Sequence, residues 1–410
     1  MSYKFKFICV LILNLVFCVS IAQTKNYSFN SNKTKISFPF KVFNSILLVD
    51  VKVNHSKTLK FIFDSGCKST IIIHPKWVDS FDIVKTNKVY FSGLGYQDSV
   101  ETIRVENGHI ELGNLTCDKL PIFILTKDSL IIDRYLGTDV DGIFGAEIFE
   151  KYFVHINYKI RMIELFTKKP DKKIKSNYTK IHVEIRKSKG YLSSMIMNNN
   201  NELFLSELLL DTGANIPVII KNKNPEDLNI TKYVNAEIGE GLSGPLFSNV
   251  CRIKRILIDT FRLDSVVTAF NETPITFKDI NENTLDGNIG NEILNRFDIY
   301  FAYPENAIYL KPTSKLKQPF DFNISNIILL NNRTKNGGFV VKSIAGDSPP
   351  MLAGLLKGDE ILKIDSYKCN ELNIEDALNL LNKRIGKKIT IQYFRKNVKT
   401  KITYRLASII

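Results

Sequence analysis

Tryptophan occurs once in these 410 residues and histidine only five times. The five, His55, His74, His109, His155 and His182, are scattered and form no HExxH array, so a zinc-hydrolase helix is excluded. Six cysteines contain no CxxC pair, which removes the common thiolate metal and redox motifs. No metal site and no cofactor is therefore expected. Acidic residues are in deficit, 42 against 56 Lys and Arg, for a formal net charge of +14. The excess sits mostly in lysine-rich connectors such as Lys168 to Lys173. No arginine cluster with interleaved aromatics accompanies it, so the charge reads as a solvated basic surface and no nucleic-acid partner is expected. No apolar run after Val19 is long enough to cross a bilayer, so the mature protein is expected not to span a membrane.

The chain is long enough for two or three domains with proper cores. An apolar fraction of 44% and a charged fraction of 24% are those of a soluble globular protein. Lys4 and Lys6 precede an apolar run from Phe7 to Val19, and Ser20-Ile21-Ala22 follows. This is the pattern of a secretory signal, residues 1–22, cleaved after Ala22. The mature protein is then exported: periplasmic, at the cell surface or secreted. Acylation at Cys18 is a second reading, to which Phe17 is a poor fit. Four cysteines remain outside the leader, Cys67, Cys117, Cys251 and Cys369. Export permits disulfides among them; their wide spacing equally suits free or buried thiols.

A repeat organises the rest. Asp64-Ser65-Gly66 follows the apolar Phe61-Ile62-Phe63, and Asp211-Thr212-Gly213 follows Leu208-Leu209-Leu210. Asp141-Gly142-Ile143-Phe144-Gly145 recurs as Asp286-Gly287-Asn288-Ile289-Gly290, 145 residues later. The separation from tripeptide to DGxxG element is 77 residues in the first half and 75 in the second. Both halves read as β-rich, with strands over Ile46 to Val53 and Thr58 to Phe63, and a short helix after each DGxxG element. Lys168 to Lys180 joins the halves, and Lys311 to Pro319 leads to a third region.

An Asp at the end of an apolar strand sits on a rigid base, and the following Gly lets a second backbone approach closely. Two such acids brought face to face cannot both ionise, so they share a proton. On these motifs the sequence resembles the aspartic proteases of the pepsin and retropepsin type over roughly residues 40 to 312. The resemblance implies a mainly β fold of two related β-barrel lobes, residues 23–168 and 178–315. It implies Asp64 and Asp211 as the catalytic pair, with Ser65, Gly66, Thr212 and Gly213 as the supporting loop. Cys67 stands where Ala, Ser or Thr is usual, and Asn288 replaces an apolar residue. Both carboxylates lie in one chain, so a two-lobed monomer suffices. Gly93 and Gly95 with Tyr96, and Gly241 with Gly244, fall in Gly-rich segments about 30 residues after each Asp. Family members close such flaps over substrate; plain surface hairpins are the other reading.

Residues 320–406 form a separate unit. Ser348-Pro349-Pro350-Met351-Leu352-Ala353-Gly354-Leu355, then Lys357-Gly358-Asp359-Glu360-Ile361, resembles a bacterial-type α+β PDZ domain. Such domains take up an extended peptide by strand addition, and Gly337, Gly338 and Phe339 are the positions expected to bind it. The combined expectation is an exported aspartic endopeptidase whose PDZ domain recruits peptide or protein substrates, in part by their C-termini. The alternative is a silent, protease-like peptide-binding scaffold.

Overall fold

The computed structural model describes residues 26–29, 33–80, 85–91, 99–128, 130–168, 177–271, 285–320, 322–331, 338–396 and 398–410. The leader, the Gly93–Tyr96 segment and Gly337 lie outside them. The protein is mainly β, with barrel-like lobes and a separate C-terminal sheet unit. The apolar strands predicted over Ile46 to Val53 and Thr58 to Phe63 form as Ile46–Val53 and Leu59–Phe63 and pair antiparallel. They enter a nine-stranded sheet; the second half builds an eight-stranded counterpart. In each, the strand leading to the tripeptide has the DGxxG strand parallel beside it. Ile62 pairs Ile143 and Phe63 pairs Phe144 in one half, as Leu209 pairs Asn288 and Leu210 pairs Ile289 in the other. Glycine is required here: a Cβ on Gly142 would lie 2.5 Å from the Ile71 carbonyl oxygen, and one on Gly287 2.0 Å from that of Ile219.

A six-stranded sheet joins the halves, and its two central strands, Phe153–Asn157 and Phe297–Ala302, come one from each. His155 pairs Tyr300 in this register, and the two are equivalent positions of the 145-residue repeat. The pseudo-twofold axis therefore runs between them. Their rings stack at 3.9 Å between centroids, 2° apart. His155 holds Glu164 through Nδ1 at 2.7 Å and Asp298 through Nε2 at 2.6 Å. Burial alone would lower its pKa, but the bonds to Asp298 and Glu164 raise it above the usual value. The bond from His155 leads the causes that lower Glu164, to about 2. Burial would raise Asp298, but His155 and Tyr178 draw it down.

The pH dependence follows from these signs. The His155 contribution is fully present below the unfolded value of about 6.5 and is lost as pH rises through the higher folded value. The carboxylate contributions are present above about 4 and fade as pH falls. Between about pH 4 and 6.5, His155→Phe is therefore expected to cost about 3 kcal/mol, as breaking a buried ion pair does. Denaturant titrations across pH check this, and an equal loss at pH 5 and pH 9 would refute it.

One apolar core runs through both halves, from Tyr27 to Phe320, and takes in Ile410 at the chain end. A separate core, from Ile327 to Leu406, fills the C-terminal unit. The connector between them is pinned rather than loose. The buried Arg296 guanidinium donates to the carbonyls of Lys315 and Leu316 through one nitrogen and to that of Pro319 through another. It also stacks 3.5 Å over the Phe320 ring.

Candidate active site

The two tripeptides meet where the halves face each other. The Ser65 amide donates to Thr212 Oγ1 at 2.9 Å, and the Thr212 amide donates to Ser65 Oγ at 3.0 Å. Each hydroxyl then donates to the opposite strand: Ser65 to the Leu210 carbonyl and Thr212 to the Phe63 carbonyl, both at 2.7 Å. Both side chains are fully buried, so these four bonds form away from competing water. A Cβ on Gly66 would lie 2.6 Å from Asp211 Cγ, and one on Gly213 2.4 Å from Asp64 Cγ. Each acid thus packs on the glycine of the opposite loop, and any side chain there would push the lobes apart.

Inside each loop the acid accepts backbone donors. Asp64 Oδ1 takes the amides of Gly66 at 2.7 Å and Cys67 at 3.1 Å. Asp211 Oδ1 takes the amide of Gly213 at 3.0 Å. The element behind each loop is also duplicated. The Ala146 amide donates to the Cys67 carbonyl and the Asn291 amide to the Ala214 carbonyl, at 2.7 and 2.8 Å. Asp141 serves this scaffold and not the dyad, accepting from the single tryptophan, Trp77, and from the Lys60 amide.

The symmetry breaks at one residue that motif reading set aside as a departure. The Asn288 side-chain Nδ2 donates to Asp211 Oδ2, whereas its counterpart Ile143 is apolar and belongs to the cluster that Cys67 packs against. Asp64 is driven above the ordinary carboxylate range, first by burial and then by the nearby Asp211 charge, against the pull of the Gly66 and Cys67 amides. Burial, then Asp64, push the Cys67 thiol up to about 12. It therefore stays protonated, which makes it a poor nucleophile despite its place beside the two acids.

Of the expected flaps, Gly93, Gly95 and Tyr96 lie outside the described residues. Gly241 and Gly244 are the paired ends of a hairpin formed by Tyr233–Gly241 and Gly244–Ile258. The tip residue Leu242 packs into the first half's apolar cluster with Cys67 and Phe91. The hairpin thus reaches across to the residues beside Asp64. Midway along it, the buried Glu237 accepts from Tyr135 of the first half and from Lys342 of the C-terminal unit, the latter at 2.9 Å.

The PDZ expectation needs correction. Phe339 is buried in the core, and its strand pairs on both sides, Phe339 with Asn331 and with Ile361. It has no edge left there for an added strand. Gly338, at φ +97°, instead lets the chain pass Ile361, whose carbonyl oxygen would lie 2.6 Å from a Cβ. The edge strand is Ile327–Asn331, paired on one side only among the described residues and flanked by the helix Ile374–Leu381. Arg134 Nε donates to the Asn331 carbonyl at 3.3 Å, and Gly137 packs on Ile374. A short helix of the protease half, Ile132–Leu136, therefore abuts one end of this edge.

The Aspartyl protease family model matches residues 49–148, and the PDZ domain family model matches residues 326–406. No curated protein matches the chain. The first match spans Asp64 through the DGIFG element; the second spans the separate C-terminal core. The chain therefore carries an aspartyl protease domain followed by a C-terminal PDZ domain.

Proposed function

We propose that this protein is an exported aspartic endopeptidase in which a water between Asp64 and Asp211 attacks the peptide carbonyl. The reciprocal Ser65–Thr212 hydrogen bonds, with each glycine against the opposite carboxylate, carry this reading. They bring the two acids together so that the Asp211 charge acts on Asp64, the condition under which two acids share one proton.

The dyad titrates as a pair, and its surroundings are unequal. Burial disfavours charge on Asp64, while Asn288 offers a donor to Asp211. In this mechanism Asp64 holds the shared proton and hydrogen-bonds the substrate carbonyl. Asp211 is the ionised base that takes a proton from water. The attacking oxygen forms a tetrahedral intermediate, and the proton now on Asp211 passes to the leaving nitrogen. The hairpin tip at Leu242 would exclude water above this exchange. The PDZ domain would take an extended peptide along Ile327–Asn331 and keep it near the cleft.

Cleavage of an unfolded protein at acidic and neutral pH, with and without a pepstatin-type inhibitor, tests the assignment. Correctly folded protein inactive at both pH values would refute it and favour the scaffold reading. Asn288→Leu tests the proton placement. Removing a charge-assisted donor costs the ionised pair about 1.5 kcal/mol, so the acid limb of the activity profile should move up by about one pH unit. An unmoved acid limb would remove Asn288 from the mechanism.

A further inference from the structure

The five histidines look dispersed along the chain, yet folding brings two of them into ring contact. We propose that His55, His109 and Glu111 form a binding site for one divalent transition-metal ion of the zinc class. His55 Nδ1 and His109 Nε2 each lie 3.5 Å from Glu111 Oε1. The three donor atoms all fall within 4.8 Å of one another. Zinc bonds of about 2.0–2.1 Å in a tetrahedron set donors about 3.4 Å apart, so two edges already have that length. The third closes by rotation of the exposed His55 side chain.

The backbone beneath these donors is fixed. His109 and Glu111 alternate on one strand, Val100–Leu112, and so share a face. His55 sits in the turn after Ile46–Val53, where Asn54 and His55 have φ of 45° and 61°. That turn is locked to the neighbouring strand: the Asn54 amide donates to the His109 carbonyl, and the His109 amide to Asn54 Oδ1 at 2.8 Å. Asp118 accepts from His109 Nδ1 at 2.6 Å, which leaves the Nε2 lone pair facing Glu111, the tautomer that a metal needs. Two imidazoles and a carboxylate suit zinc and copper better than calcium or magnesium. The fourth position is open to solvent.

A bound ion would staple the turn ahead of the Asp64 strand to the adjoining hairpin, distant in sequence from both. Calorimetric titration of the full mature chain with Zn2+ alone is the test, expected to give one ion per chain. His55→Ala should weaken binding at least tenfold, and Asp118→Asn by about 10- to 100-fold. His55 lies on an exposed turn, so its replacement tests the site even where His109→Ala fails to fold. Absence of saturable Zn2+ binding overturns the proposal, as does one-to-one binding unchanged in His55→Ala.

Discussion

Asp64→Asn and Asp211→Asn are each expected to reduce kcat/KM for peptide hydrolysis by at least about a thousandfold, the scale of losing a positioned acid or base. The fold should survive. An Asn Oδ1 still accepts from the Gly66 and Cys67 amides at position 64, and from the Gly213 amide at position 211. Each variant leaves one acid beside a neutral amide of the same shape, so thermal stability should hold. Parallel measurement of kcat/KM and Tm separates loss of chemistry from loss of structure. Activity near the parent level in either folded variant would end the dyad assignment.

The second large effect is on assembly of the lobes. Thr212→Val keeps the side-chain volume and deletes one hydroxyl. That hydroxyl accepts from the Ser65 amide and donates to the Phe63 carbonyl. Both groups would then be buried without these partners, at about 1–3 kcal/mol each. A loss of about 2–6 kcal/mol in denaturant unfolding is expected, with activity falling further because the loops carry the acids. Ser65→Ala should do the same from the other side, through the Thr212 amide and the Leu210 carbonyl. Losses under about 0.5 kcal/mol, the scale of an ordinary surface change, would mean that the loops are not held this way.

The duplication was legible because two motifs kept their spacing in both halves, and the strands around Asp64 and Asp211 followed from apolar runs ending in turns. The hydroxyl exchange was legible in outline, since Ser and Thr occupy matching positions. Asn288 was visible only as a misfit, because a strand position facing a neighbouring loop leaves no mark on the period of its own strand. The central sheet was hidden for a related reason. His155 and Tyr300 are 145 residues apart and meet only when the halves pack. The PDZ edge was misassigned because a glycine pair before an apolar strand suits both a ligand loop and a tight crossing. Only the pairing of Phe339 with Asn331 and with Ile361 distinguishes them.

Glu237 has a consequence of its own. Its carboxylate is almost wholly buried and receives one donor from the first half and one from the PDZ domain, while belonging to the hairpin of the second half. Withdrawing Lys342 would leave a buried carboxyl group with a donor missing, a costly state. The first half, the hairpin of the second half and the C-terminal domain thus meet at one buried carboxylate, so a shift in any of them bears on where the hairpin tip sits beside Asp64 and Cys67.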